Sequence, residues 1–167
     1  MNTPPLSRET LFTILDAVKD PEVPVISIVE LGIVRDARAT DGGVTITITP
    51  TYSGCPAMHT IAQDIRAALA VYGVDEVRIE TVHAPAWTTD WIGPEAREKL
   101  RAFGIAPPGP VDHEGGLVAL TRRRQAVSCP YCGSPRTELK SEFGSTACKA
   151  IHVCLACRQP FDEFKPL

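Results

Sequence analysis

A chain of 167 residues with 44% hydrophobic residues holds one ordinary domain plus a small appendage. Its formal net charge of −3 excludes a global pull toward nucleic acid or an anionic membrane. No apolar run reaches the ~20 residues that cross a bilayer, and Met1-Asn2-Thr3-Pro4-Pro5 has no basic or apolar leader character, so a cytoplasmic protein with no membrane partner is expected.

Ser7 can cap a helix with Glu9 in its first turn, and Leu11, Ile14, Leu15 and Val18 recur at helical spacing. Asp20-Pro21-Glu22-Val23-Pro24 ends it, because residues before proline avoid the helical region. Residues 26–39 read as a strand with a polar break at Glu30 and a glycine at Gly32. Asp41-Gly42-Gly43 is a turn. Val44-Thr45-Ile46-Thr47-Ile48-Thr49 alternates, which predicts aliphatics facing a core and threonines facing out. A second helix starts near Pro56 and runs to about Tyr72. Its predicted buried face is Met58, Ile61, Ile65, Leu69 and Tyr72, and Gly73 closes it. Residues 76–82 give one more strand. The order is that of a small α+β domain, a mixed sheet with helices packed on one face.

Residues 83–91 form a loop carrying Trp87 and Trp91, which either plug the end of the sheet or form a partner-facing patch. Residues 94–103 read as a short charged helix ended by Gly104. Pro107-Pro108-Gly109-Pro110 is a stiff break. The predicted organisation is a first domain over 1–106, a linker over 107–127 with one strand at 117–120, and a cysteine-rich module over 128–167. Arg122-Arg123-Arg124, before that module, is either a solvated face or a dock for an acidic partner.

The strongest signal lies in the last module. Cys129-Pro130-Tyr131-Cys132 and Cys154-Leu155-Ala156-Cys157 are separated by 21 residues. A tight turn across each two-residue gap points both sulfurs at one centre, and two such turns supply four thiolates, which suits tetrahedral Zn²⁺. A four-cysteine set serves iron–sulfur clusters as well, so spacing alone leaves zinc and a cluster both open. Residues 1–127 carry a charge of −4 and residues 128–167 carry +1. A ribbon that binds nucleic acid should be plainly basic, and no nucleic-acid partner is expected.

Cys55 stands where a strand ends and a helix begins. Free N–H groups and the helix dipole favour an anion there, so its thiol pKa is expected to fall. His59, four residues on, can share its side of the first turn. Asp20 and Glu22 suggest either a carboxylate pair or the caps of a proline-rich turn. Cys148, between the two cysteine pairs, is either a transient ligand for iron or a cluster or a packed thiol of a ribbon strand. His152 is a further ligand candidate. No serine–histidine–aspartate order, phosphate-cradling glycine loop or H-E-x-x-H motif is present, so no catalytic residue set is assigned.

Several stretches resemble the MIP18 (DUF59) family: Asp20-Pro21-Glu22, Ser27-Ile28-Val29-Glu30-Leu31-Gly32, Thr51 through Cys55-Pro56, and Pro85-Ala86-Trp87. Trp87-Thr88-Thr89-Asp90-Trp91-Ile92, Gly104-Ile105-Ala106-Pro107-Pro108, the two cysteine pairs, Phe143 to Lys149 and Pro160-Phe161-Asp162 are similar to the D-subunit branch of phenylacetyl-CoA epoxidase systems, across nearly the whole chain. The resemblance implies a non-catalytic accessory component in aerobic phenylacetate degradation that assists assembly of an iron–sulfur or di-iron centre. It implies a zinc ribbon held by Cys129, Cys132, Cys154 and Cys157, and Cys55 as the functional cysteine for a transient iron or iron–sulfur cargo. Its implied partners are other subunits of the epoxidase system or iron–sulfur assembly proteins. An exposed sheet edge in the first domain is compatible with a homodimer. Two other classes stay open on the residues: a thiol-dependent enzyme using Cys55, and a scaffold or binding module using the ribbon.

Overall fold

The computed structural model describes residues 6–111 and 126–167. Helix α1 is Arg8–Asp16, with the Ser7 hydroxyl accepting the Thr10 N–H as its cap. Strands β1 (Val34–Thr40) and β2 (Gly43–Ile48) form an antiparallel hairpin, and β3 (Val77–Thr81) adds to β2 in parallel after helix α2 (Ala57–Ala70). The sheet order is β1-β2-β3, a mixed sheet, with α1 packed on β1 and α2 on β3. A 3-10 turn at Thr89–Trp91 precedes helix α3 (Pro94–Ala102). The second sheet joins β4 (Ile105–Ala106), β5 (Thr137–Ser141), β6 (Lys149–Cys154) and β7 (Pro160–Phe164) in the order β4-β7-β6-β5.

Two compact units result. The first runs to Trp87 and includes 91–96; the second gathers 88–90 with 97–167. In the first, Leu11, Leu15, Ile46, Ile48, Ile61, Ile65 and Leu69 are essentially inaccessible. At roughly 1.5–3 kcal/mol per fully buried side chain of this type, they are the main source of cohesion. In the second, the short strand β4 pairs in parallel with β7 through Ile105 and Ala106, so the cysteine-bearing sheet recruits residues well before Ser128.

Four sequence expectations are corrected. The strand predicted over 26–39 begins only at Val34. Upstream, the Ser27 N–H donates to Glu30 Oε2 at 2.9 Å, the Glu30 N–H donates to the Ser27 hydroxyl at 3.0 Å, and the Leu31 N–H donates to the Ser27 carbonyl at 2.9 Å. This reciprocal exchange makes a helical turn out of a sequence whose β-branched residues favour a strand. Ser27 also donates to Asp16, and Gly32, at φ 77°, redirects the chain into β1.

The threonines of the alternating stretch 44–49 do not all face water: Thr45 in β2 and Thr49 just after it are buried. Thr45 lies between Arg38 on β1 and Arg78 on β3, on the central strand; Arg38 pairs with Asp36 on its own strand and reaches Glu80 on β3. Long charged stems cover a short side chain on an otherwise polar face. Tyr72, assigned to the buried face of the second helix, is 57% exposed, because α2 ends at Ala70 and the chain turns away before it. The fourth correction, at Cys55, belongs to the site below. The predicted strand at 117–120 and the triple arginine lie outside the described residues.

Trp87 is buried and its indole N–H donates to the Leu31 carbonyl at 2.9 Å, tying the loop to the turn before β1. Trp91 is half-buried, with the Arg35 guanidinium 3.8 Å above its ring.

Candidate metal centre and thiol site

The two cysteine turns are built alike. In the first, the Gly133 N–H donates to the Cys129 carbonyl at 2.9 Å and the Cys129 N–H donates to the Ser134 carbonyl at 3.0 Å. In the second, the Arg158 N–H donates to the Cys154 carbonyl at 3.0 Å and the Cys154 N–H to the Gln159 carbonyl at 3.0 Å. Each turn ends on a left-handed residue, Gly133 at φ 71° and Arg158 at φ 66°. Strand β6 delivers Cys154, and the Leu155 N–H donates to the Arg136 carbonyl at 2.8 Å, fixing the second turn beside the chain that leaves the first.

The four sulfurs lie within 4.8 Å of one another, with Cys129 3.7 Å from Cys157 and Cys132 3.6 Å from Cys154. These are spacings of thiolates gathered round one ion. Four soft sulfur donors at these spacings fit zinc. The Cys157 N–H points at the Cys154 sulfur at 3.5 Å; with the Ala156 N–H and the neighbouring thiols it brings that thiol down to about 6, against the effect of burial. Cys157 goes the other way, to about 12: the Gln159 N–H favours its thiolate, but desolvation and three adjacent sulfurs outweigh it. Four sulfurs this close cannot all ionise without a cation between them. Under the quartet, Ala106, Cys129, Cys154 and Phe161 form a small core with Val127 and Cys157 against it.

Cys148 stays out of that group. It is buried at the start of β6, with its sulfur 3.0 Å from the Thr146 hydroxyl. Six residues of extended chain from Cys148 to Cys154 span roughly 20 Å, too far to share an ion. His152 is also buried. Its Nε2 lies 2.7 Å from Glu163 Oε2, its ring stacks on Phe161 at 5.5 Å, and its Nδ1 has no hydrogen-bond partner.

Cys55 sits apart from the quartet in the first unit, half-buried, in the loop between β2 and α2. Its thiol pKa is raised, not lowered as the sequence suggested. Desolvation is the largest cause. The Ala57 N–H at the helix start does favour the thiolate, and the Thr51 and Tyr52 side chains hydrogen-bond it, but the Glu22 carboxylate opposes them. The helix start is there; partial burial and the Glu22 carboxylate outweigh it. Asp20 is buried, and its Oδ1 accepts the N–H groups of Glu22 and Val23, both at 2.8 Å. It therefore acts as the cap of the turn that carries Glu22 toward Cys55. His59 is exposed and is not among the groups acting on the Cys55 thiol. Thr51 and Tyr52 carry no site signal of their own in the sequence beyond lying in the Thr51–Pro56 stretch, four and three residues before the cysteine.

A family model described as "PaaD zinc beta ribbon domain" matches residues 114–165, and one described as "Iron-sulfur cluster assembly protein" matches residues 8–82. The chain is 45% identical, over 97% of its own length and 94% of the relative's, to the D-subunit of a putative 1,2-phenylacetyl-CoA epoxidase of Escherichia coli (strain K12). The chain belongs to this D-subunit family. Its first part is also 35% identical, over 56% of the chain and 90% of the relative, to "Fe-S protein maturation auxiliary factor" of Porphyromonas gingivalis. Among solved structures, a domain of unknown function DUF59 from Bacillus anthracis matches with a TM-score of 0.51 and 33% identity, over 56% of this chain and 90% of that one. A conserved hypothetical protein from Thermotoga maritima matches with a TM-score of 0.50 and 31% identity, over 59% and 98%. The architecture is thus a DUF59-type α+β unit followed by a zinc ribbon, and among the described residues no helix is long and apolar enough to cross a membrane.

Proposed function

We propose that the chain is an accessory factor in metal-centre assembly that serves a phenylacetyl-CoA epoxidase-type multicomponent oxygenase, with Cys55 as the residue that handles the cargo. The observation that carries this is a division among the sulfurs. Four are gathered into one closed set, and one is held half-exposed at a helix start in the DUF59-type unit. A closed four-thiolate site folds a small module and does not readily release its ion. A single thiol flanked by backbone N–H can take iron or a cluster and give it up.

In this reading zinc is ligated by Cys129, Cys132, Cys154 and Cys157 and supplies structural cross-linking of the ribbon. The raised thiol pKa keeps Cys55 protonated at rest, and its proton leaves when iron or a cluster arrives as substrate. Glu22 stands on the Asp20-capped turn as a second anionic group at that site. The partners are the oxygenase subunits or iron–sulfur assembly proteins. Similarity to the epoxidase D-subunit along nearly the whole chain supports the oxygenase, and similarity of the first part to maturation factors supports the assembly chemistry.

The test is the Cys55→Ser variant. Loss of anaerobic iron or cluster binding at unchanged zinc content is expected, with reduced epoxidase activity in cells that carry the whole system. Normal iron binding and normal activity in that variant would remove the role assigned to the thiol.

A further inference from the structure

The four sulfurs of the quartet are not equivalent. Cys129 and Cys154 are 2% and 0% exposed and Cys157 is half-buried, whereas Cys132 is exposed. Backbone N–H groups of Cys157 and Ala156 point at the Cys154 sulfur, and that of Gln159 at the Cys157 sulfur. An N–H directed at a thiolate draws off the charge it attacks with, and burial denies a reagent access. The quartet therefore has one open side, at Cys132, even though the surrounding turns match each other bond for bond.

The two shortest sulfur–sulfur contacts of the quartet each run from one turn to the other. The Cys132 sulfur is 3.6 Å from Cys154 and the Cys129 sulfur is 3.7 Å from Cys157, while Cys157 also has Cys132 and Cys154 beside it, and the shorter Cys132–Cys154 approach favours that pair.

We infer that Cys132 is the modification site of the quartet, a thiolate that reacts with hydroperoxides, and that its oxidation opens the metal site through a disulfide to Cys154. The inference rests on the quartet being a zinc site. In the first step the Cys132 thiolate attacks a peroxide oxygen: the S–O bond forms, the O–O bond breaks, and hydroxide leaves. The sulfur is oxidised by two electrons to a sulfenic acid and the peroxide is reduced. In the second step the Cys154 thiolate, already in contact, attacks that sulfur: the S–S bond forms, the S–O bond breaks, and a second hydroxide leaves. Two thiolates remain, short of the four a structural zinc site uses. The ribbon then loses the cross-link that joins its two turns.

The experiment uses the full zinc-loaded chain and hydrogen peroxide. Zinc release is followed with a chromogenic indicator, and disulfides are mapped by mass spectrometry of unreduced peptides. The expected result is loss of about one zinc per chain in step with a Cys132–Cys154 cross-link. In parallel, sub-stoichiometric iodoacetamide on the same protein should label Cys132 ahead of Cys129, Cys154 and Cys157. A Cys129–Cys132 link, label spread evenly over the four, or full zinc retention while Cys55 alone is oxidised overturns the inference and leaves the zinc reading intact. A protein isolated without zinc overturns that reading, and this inference with it.

Discussion

Gly133 and Arg158 occupy the same place in two successive cysteine turns, each donating its N–H to the carbonyl of the first cysteine four residues back, and each with a positive φ. One position has the residue that adopts this conformation freely; the other imposes it on a side chain. Nothing lies within 4 Å of where a Gly133 Cβ would stand, so a side chain there would meet no clash. Gly133→Ala should then cost about 1 kcal/mol through the backbone alone. Thermal unfolding of the zinc-loaded protein checks this, and no loss would mean that the turn relaxes.

Gly104 makes a different demand. Its φ is 88°, and an added Cβ would stand 2.5 Å from the Tyr131 hydroxyl oxygen. Gly104→Ala carries the left-handed conformation, about 1–2 kcal/mol, and must also displace the exposed Tyr131 ring, so it should destabilise somewhat more than Gly133→Ala. The comparison of the two variants by denaturant midpoint is the measurement.

Trp87→Phe removes the indole donor from the Leu31 carbonyl, in a region where Leu31 itself is 1% exposed. An orphaned buried acceptor costs about 1–3 kcal/mol. The first unit should lose that much in chemical denaturation, while the zinc content of the ribbon stays unchanged.

Glu22 raises the Cys55 thiol pKa by repulsion, behind the larger effect of burial. Wild-type Cys55 should therefore react with iodoacetamide at pH 8 more slowly than a free cysteine, and Glu22→Gln should speed it. The sign follows from the thiolate being the reactive form and the carboxylate disfavouring it. A rate unmoved by Glu22→Gln would disconnect the two residues.

Within the quartet, Cys154 goes the opposite way. Cys154 is held at about 6 in the metal-free chain, below its ordinary 9.0, so its thiolate form is favoured above that pH and lost as pH falls through it. Protons compete with the ion for the thiolates, so zinc occupancy should fall as pH is lowered, as read by an indicator at fixed chelator concentration. Occupancy independent of pH down to about 4 would contradict this.

Features with local causes were legible along the chain. Helix α1 and its Ser7 cap, the periodicity of Ile61, Ile65 and Leu69, the alternation of β2 and the four-sulfur set all follow from residue spacing, because a turn's geometry is fixed by the residues inside it. Whatever depends on residues far apart in sequence was settled by packing. Packing drew Ile105 and Ala106 into the ribbon sheet through β7, roofed Thr45 with arginines from two strands, and replaced an expected strand by the Ser27–Glu30 turn that Asp16 supports. It also reversed the expectation at Cys55: the helix start favours an anion, but desolvation and the Glu22 carboxylate act through space, and burial cannot be counted along a chain.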